Sequence, residues 1–184
     1  DDFWLEQMIE AQVNRQMETG ADMVYCQAVR CDEQGNDLPT KVAQPVPERF
    51  VGELLYGNRL TDCGACIKTS VLRDLGGFDG SYWPADDYPL WLRIAAKYRI
   101  TYQPQPLGRY RSYEGQASGA RTKMALVTLA AKLDFLAKHR TIARRLGSAL
   151  VTEAVEDWFF SLACEAARNG QQAMARRLSR AYVC

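Results

Sequence analysis

An α/β fold followed by an α-helical tail is predicted by two features of this 184-residue sequence. Up to residue 118, short runs rich in Val, Ile and Tyr alternate with stretches whose apolar residues recur at helical spacing. From Arg121 onward the strand-like runs stop and amphipathic helix takes over. The chain therefore divides into an α/β part, 1–118, and a helical extension, 119–184. Hydrophobic residues make up 47% and charged residues 24%, values normal for a globular protein. The length is enough for a real core. A net charge of +1 argues against nucleic acid as a bulk partner. No apolar run is long enough to span a bilayer. The opening DDFWLEQMIE has no basic segment or signal-peptide core, so a cytoplasmic location is the default expectation.

Taken in order, Trp4, Leu5, Met8, Ile9, Val13 and Met17 form one helical stripe, stopped by Gly20. Residues 22–30, DMVYCQAVR, read as a strand, and CDEQGND as a turn. Pro39, Pro45 and Pro47 mark an extended connection. Glu48 to Tyr56 has helical spacing with Phe50, Val51, Leu54 and Leu55 facing inward, and Gly57-Asn58 ends it. Leu60 to Lys68 returns to strand character. Ser70 is placed to cap a short helix, VLRDL, which Gly76 terminates. Arg99–Gln103 and Leu107–Arg111 read as two short strands separated by Pro104 and Pro106. The tail reads as three helices, the last two joined by Asn169-Gly170 into a hairpin. Its arginines, Arg144, Arg145, Arg176, Arg177 and Arg180, fit a solvated helix face or contact with anionic headgroups. His139 ends a helix, where a cation is favoured without any catalytic role.

Six cysteines invite a disulfide framework, but the chain is neither short nor marked as secreted. Cys63-Gly-Ala-Cys66 has redox or zinc spacing, and Cys26 and Cys31 could complete a four-thiolate site. Their apolar, strand-like surroundings favour plain buried thiols.

The stretch 76–93, GGFDGSYWPADDYPLWLR, carries the chemistry. Gly76 and Gly77 permit a sharp turn, and Phe78 is expected to anchor it in the core. Asp86 and Asp87 precede an amphipathic run with Leu90, Trp91, Ile94, Ala95 and Tyr98, and Pro89 fits its first turn. Carboxylates at a helix start are favoured in ionised form. They serve equally as ordinary caps or as a general base facing a cavity.

The pattern GGFD, an aromatic loop, an acidic pair and LWLR resembles the acceptor-side half of family 2 glycosyltransferases of the GT-A fold. The order LLYGN, strand, helix, GGFD resembles that family too, and so does YRSYEGQAS, in which Tyr110, Arg111 and Ser118 match. The resemblance covers residues 1–118. It implies a partial GT-A α/β fold, with the nucleotide-binding first half of the family lying upstream and the isolated chain inactive. It implies an inverting transfer from a nucleotide-sugar donor to a saccharide or lipid-linked acceptor, in bacterial cell-surface polysaccharide synthesis at the inner face of the plasma membrane. Asp87 takes the role of catalytic base. Gly76, Gly77, Asp79, Tyr82, Trp83 and Asp86 fall on the acceptor side. Asp1 and Asp2 match the end of the Asp-X-Asp motif that holds Mn2+ or Mg2+. Arg111 and Tyr113 fall on the donor diphosphate side, with Tyr113 standing where the family has histidine. Arg93 is read as a structural partner for a carboxylate. An uncovered sheet edge would favour a homodimer. Two other readings are a non-catalytic carbohydrate-binding module and a helical interaction module built on the tail.

Overall fold

The computed structural model describes residues 1–39 and 50–183, and the side chains of Phe50 and of residues 181–183 are outside that description. The expected extended connection through Pro45 and Pro47, the start of the second helix at Glu48, and Cys184 therefore lie outside the described residues.

The strands are β1 (Phe3–Trp4), β2 (Met23–Cys31), β3 (Ala65–Ile67) and β4 (Ile100–Arg111), arranged β1-β4-β2-β3 in one mixed sheet. β2 and β4 run parallel, while β1 and β3 add antiparallel edges. β2 is buried along almost its whole length, which explains its near-continuous apolar sequence. The two strands expected around Pro104 and Pro106 are one. The pairing slips between Cys26↔Gln103 and Ala28↔Gly108, and the prolines sit exposed in that irregularity, where no ladder N–H is required.

The helices are α1 (Met8–Thr19), α2 (Phe50–Tyr56), α3 (Thr69–Leu75), α4 (Asp87–Lys97), α5 (Arg121–Lys138), α6 (Arg140–Leu146), α7 (Ser148–Arg168) and α8 (Gln172–Val183). α6 was absent from the sequence reading, which saw only its arginines. The hairpin of α7 and α8 is present, with Gly170 at positive φ in its turn. The N-cap of α3 is Lys68 rather than Ser70, which lies inside the first turn.

The expected stripe on α1 is only partly right. Met8 is buried, but Ile9, Val13 and Met17 are exposed. The inward partner of Met8 is Gln12, fully buried, whose Nε2 donates to the Gly64 carbonyl at 2.9 Å. Trp4 belongs to β1, and its indole N–H donates to the Cys63 carbonyl at 2.7 Å. A polar side chain spanning two elements outcompetes the apolar periodicity here.

The main core joins α2, α4, β2 and the tail. Leu54, Leu55, Tyr88, Leu90, Trp91, Leu92 and Ile94 pack in the same cluster as Ala131, Phe135 and Ala154. Polar links reinforce the tail. The Trp158 indole N–H donates to the Leu55 carbonyl at 3.1 Å, and the Tyr56 hydroxyl donates to Glu153 at 2.9 Å. Among the described residues, no helix is long and apolar enough to cross a membrane.

Candidate active site

The acidic pair stands where the loop after α3 runs into α4. Gly76 and Gly77 both hold positive φ (77° and 71°), and a Cβ on either would meet only open space, so backbone conformation alone demands glycine there. Arg93 fixes the turn. Its Nη1 and Nη2 donate to the carbonyls of Leu75 and Gly77 at 2.5 and 2.8 Å, and its Nε to Pro89 at 3.1 Å. Its partners are thus backbone carbonyls and not the expected carboxylate. Phe78 is 53% exposed, correcting its expected place in the core. It stands edge-on to Trp91 with ring centroids 6.3 Å apart.

Asp86 occupies the N-cap position of α4 but makes no side-chain capping bond. Asp87, the first helical residue, turns inward. Its Oδ2 accepts from Asn58 Nδ2 at 3.0 Å and from the Trp91 indole at 3.1 Å, while Oδ1 receives neither bond. Burial pushes the Asp87 carboxyl above its ordinary value. Those two bonds oppose the shift, and the nearby Asp62 charge adds to it. Such a carboxylate is held in one orientation and made more basic, as a general base requires.

Asp62 is a residue the sequence reading missed. The segment 60–68, expected as a strand, begins instead with a 3-10 turn over Asp62–Gly64. Gly64 is buried so tightly that a Cβ would come within 2.3 Å of the Cys26 carbonyl oxygen. That turn brings Asp62 and Cys63 against Asp2, and the ligand atoms of the three lie within 4.8 Å of one another. Burial, then the Asp2 and Asp62 charges, push the Cys63 thiol up, so it stays protonated and hydrogen-bonds Asp2. The two carboxylates are oxygen donors of the kind a hard divalent cation takes, whereas the protonated Cys63 thiol is not a ligand. Cys26 and Cys31 are buried in β2, and the five described cysteines are free thiols. In the sequence the CxxC spacing marked Cys63 and the family resemblance marked Asp2, while nothing marked Asp62.

Asp1 is exposed and lies outside that group. Its side chain accepts from the Asp2 amide at 3.0 Å. Arg111 pins the same segment. Its backbone N–H donates to Asp2 Oδ1 at 2.8 Å, its Nε to the Asp1 carbonyl at 2.7 Å, and its Nη1 to the Glu33 carbonyl. The guanidinium also lies over the Phe3 ring. Tyr113 is exposed on the loop after β4, where its amide donates to Gln116. Tyr82 and Asp79 face the tail: the Tyr82 hydroxyl donates to Asp134 at 2.9 Å, and Asp79 accepts from Ser81. Trp83 is 57% exposed beside them.

No protein-family model matches the chain, and no curated protein matches it by sequence. Among solved structures, S. aureus TarS residues 1–349 in complex with UDP-GlcNAc is similar over 99% of this chain, with a TM-score of 0.52 and 14% identity. The fold is glycosyltransferase-like. This chain spans 65% of the length of that structure. The structure of TarS 1–349 in complex with UDP is also similar, at 13% identity and a TM-score of 0.46.

Proposed function

We propose that this chain carries the acceptor side and base of a glycosyltransferase that uses a nucleotide-sugar donor, acting in cell-surface polysaccharide synthesis. The observation that carries the reading is Asp87: a half-buried carboxylate, made more basic by burial and oriented by Asn58 and by Trp91, whose ring the exposed Phe78 meets edge-on. The UDP-GlcNAc bound to the TarS structure supports a uridine donor. Asp87 Oδ1 takes the proton of the acceptor hydroxyl as that oxygen attacks the anomeric carbon, with inversion. Phe78 and Trp83 offer flat apolar faces to the acceptor sugar, and Asp86 an accepting oxygen to its hydroxyls. Mn2+ or Mg2+ would be held by Asp2 and Asp62 with Cys63 beside them, and it supplies positive charge to the departing nucleoside diphosphate. Arg111 keeps Asp2 in place through its backbone N–H and its grip on the Asp1 carbonyl.

Nucleoside diphosphate release from UDP-GlcNAc and a panel of other sugar nucleotides, with Mn2+ and saccharide acceptors, tests the reading. The assay is run on this chain and on a form extended upstream. Acceptor-dependent release by either form is the expected result. Saccharide binding with no release from any donor would instead make the chain a carbohydrate-binding module.

A further inference from the structure

The tail does more than cover the core, because one of its carboxylates reaches the loop that carries Trp83. We propose that Asp134 of α5 is a positioning residue that clasps the acceptor loop 79–86 through Tyr82, so that the helical tail sets the acceptor-binding surface. The inference rests on the functional reading above for its consequence, but not for its geometry.

The Tyr82 hydroxyl and the Lys138 ammonium both donate to the same oxygen, Asp134 Oδ2, at 2.9 and 2.8 Å. Tyr82 and Asp134 are 52 residues apart, so this bond ties two distant segments. Its tail end is rigid. Phe135, the next residue, is 4% exposed in the main core and stacks on His139 with centroids 4.4 Å apart. At the loop end the Tyr82 ring packs against the main core, and the Tyr82, Trp83 and Ala85 amides donate to carbonyls within the loop, so the hydroxyl bond to Asp134 is the polar tie from this turn to the tail. Asp79 caps the single 3-10 turn from within the loop, and Gly80, Ser81 and Trp83 are exposed. Arg93 fixes the chain upstream of the loop, at Leu75 and Gly77, and Ala85 is buried just before the acidic pair. The clasp therefore acts in the middle of an otherwise tethered arch. Lys138 first, and then Tyr82, hold the Asp134 carboxyl below the usual carboxylate range, so the acceptor of the clasp remains charged at neutral pH.

The space between loop and tail is a cavity of about 100 Å³ lined by Asp79, Tyr82, Pro89, Arg93, Asp134 and Lys138, among others. It is roomy enough for several waters between the loop and the tail. On this proposal the space is a joint between loop and tail, with the acceptor meeting the outer side of the loop, where the exposed Trp83 lies. An arch already ordered by the clasp spares the acceptor the entropy of ordering it.

Hydrogen exchange on the full chain tests the clasp directly. Tyr82→Phe and Asp134→Ala should each raise exchange at the Tyr82, Trp83 and Ala85 amides, the double variant no more than either single one, with the amides of 90–94 in α4 unchanged. Asp134→Asn, which keeps an accepting oxygen, should exchange close to wild type. Wild-type exchange in both Tyr82→Phe and Asp134→Ala would overturn the clasp. In the form that turns over, Tyr82→Phe should raise the acceptor KM about tenfold, the worth of one hydrogen bond to a charged group, with donor KM and kcat little changed. An equal rise in donor KM, or a loss in kcat alone, would overturn the positioning role. Absence of turnover in every form would overturn the functional reading instead, and the exchange result would still decide the clasp.

Discussion

The Asp87 carboxylate is shaped by three neighbours, one on its own helix and two from a distant segment. Trp91 follows one helical turn later, so that bond was implicit in the spacing of the acidic pair and the helix. Asn58 was legible only as a helix stop, and Asp62 only as a residue in a presumed strand. Pairwise convergence of side chains 25 and 29 residues away from Asp87 leaves no periodic trace, which is why the sequence marked Asp87 but not its surroundings. The balance of shifts gives a pH prediction. A base acts when deprotonated, so a raised folded value moves the acid limb of the rate profile above the ordinary aspartate range near 4. Asn58 opposes that rise. Asn58→Ala should therefore move the limb to still higher pH and lower turnover most at the acid end. A limb at the ordinary aspartate position, unmoved by Asn58→Ala, would show that Asp87 does not govern the profile.

At the scale of elements, helices with one long buried face were readable, and elements shaped by a single tight contact were not. α4 follows from its apolar spacing: Tyr88, Leu90, Trp91, Leu92 and Ile94 are all buried. The turn at Asp62–Gly64 follows from packing against the Cys26 carbonyl, a contact between segments that no local pattern encodes. β1 is two residues long and held in part by the Trp4 indole on Cys63, so its apolar residues were absorbed into the stripe of α1. Gly64→Ala should destabilise the chain by about 1–3 kcal/mol or more, because the obstructing atom is backbone and cannot rotate away. Urea unfolding measures this directly. It should also disturb the Asp2–Asp62–Cys63 group, which the same turn assembles. A neutral effect would mean that the turn yields without cost.

For the molecule as a whole, the change of character near residue 120 was visible in the sequence, but the packing of the tail helices on α2 and α4 was not. Composition suggested an appended helical extension, whereas α5 and α7 share their buried side chains with α2 and α4. The seam also contains a liability. Lys132 is fully buried, donates to the Ala154 carbonyl at 3.0 Å and lies over the Trp158 ring. Burial pulls its ammonium down to about 7, partly opposed by Asp157. The unfolded chain would hold that proton up to about 10.5, so stability should rise with pH between those values, and the cost of burying the charge is complete below 7. Lys132→Met should stabilise the protein at pH 6 by at least ~1.4 kcal/mol, the worth of one pKa unit, with the gain shrinking toward pH 10. Thermal unfolding across that range reads the difference, and a gain independent of pH would contradict a buried titrating lysine.

The most direct test of the central claim is Asp87→Asn in the form that releases nucleoside diphosphate. Asn preserves the size of the side chain and an oxygen for Asn58 and Trp91 to donate to, but it cannot take a proton. The expected result is a fall in kcat of about 10²–10⁴, with donor and acceptor KM near wild type and no loss of Tm, since a partly desolvated charge has been removed. Undiminished release by Asp87→Asn would contradict the assignment of Asp87 as the base.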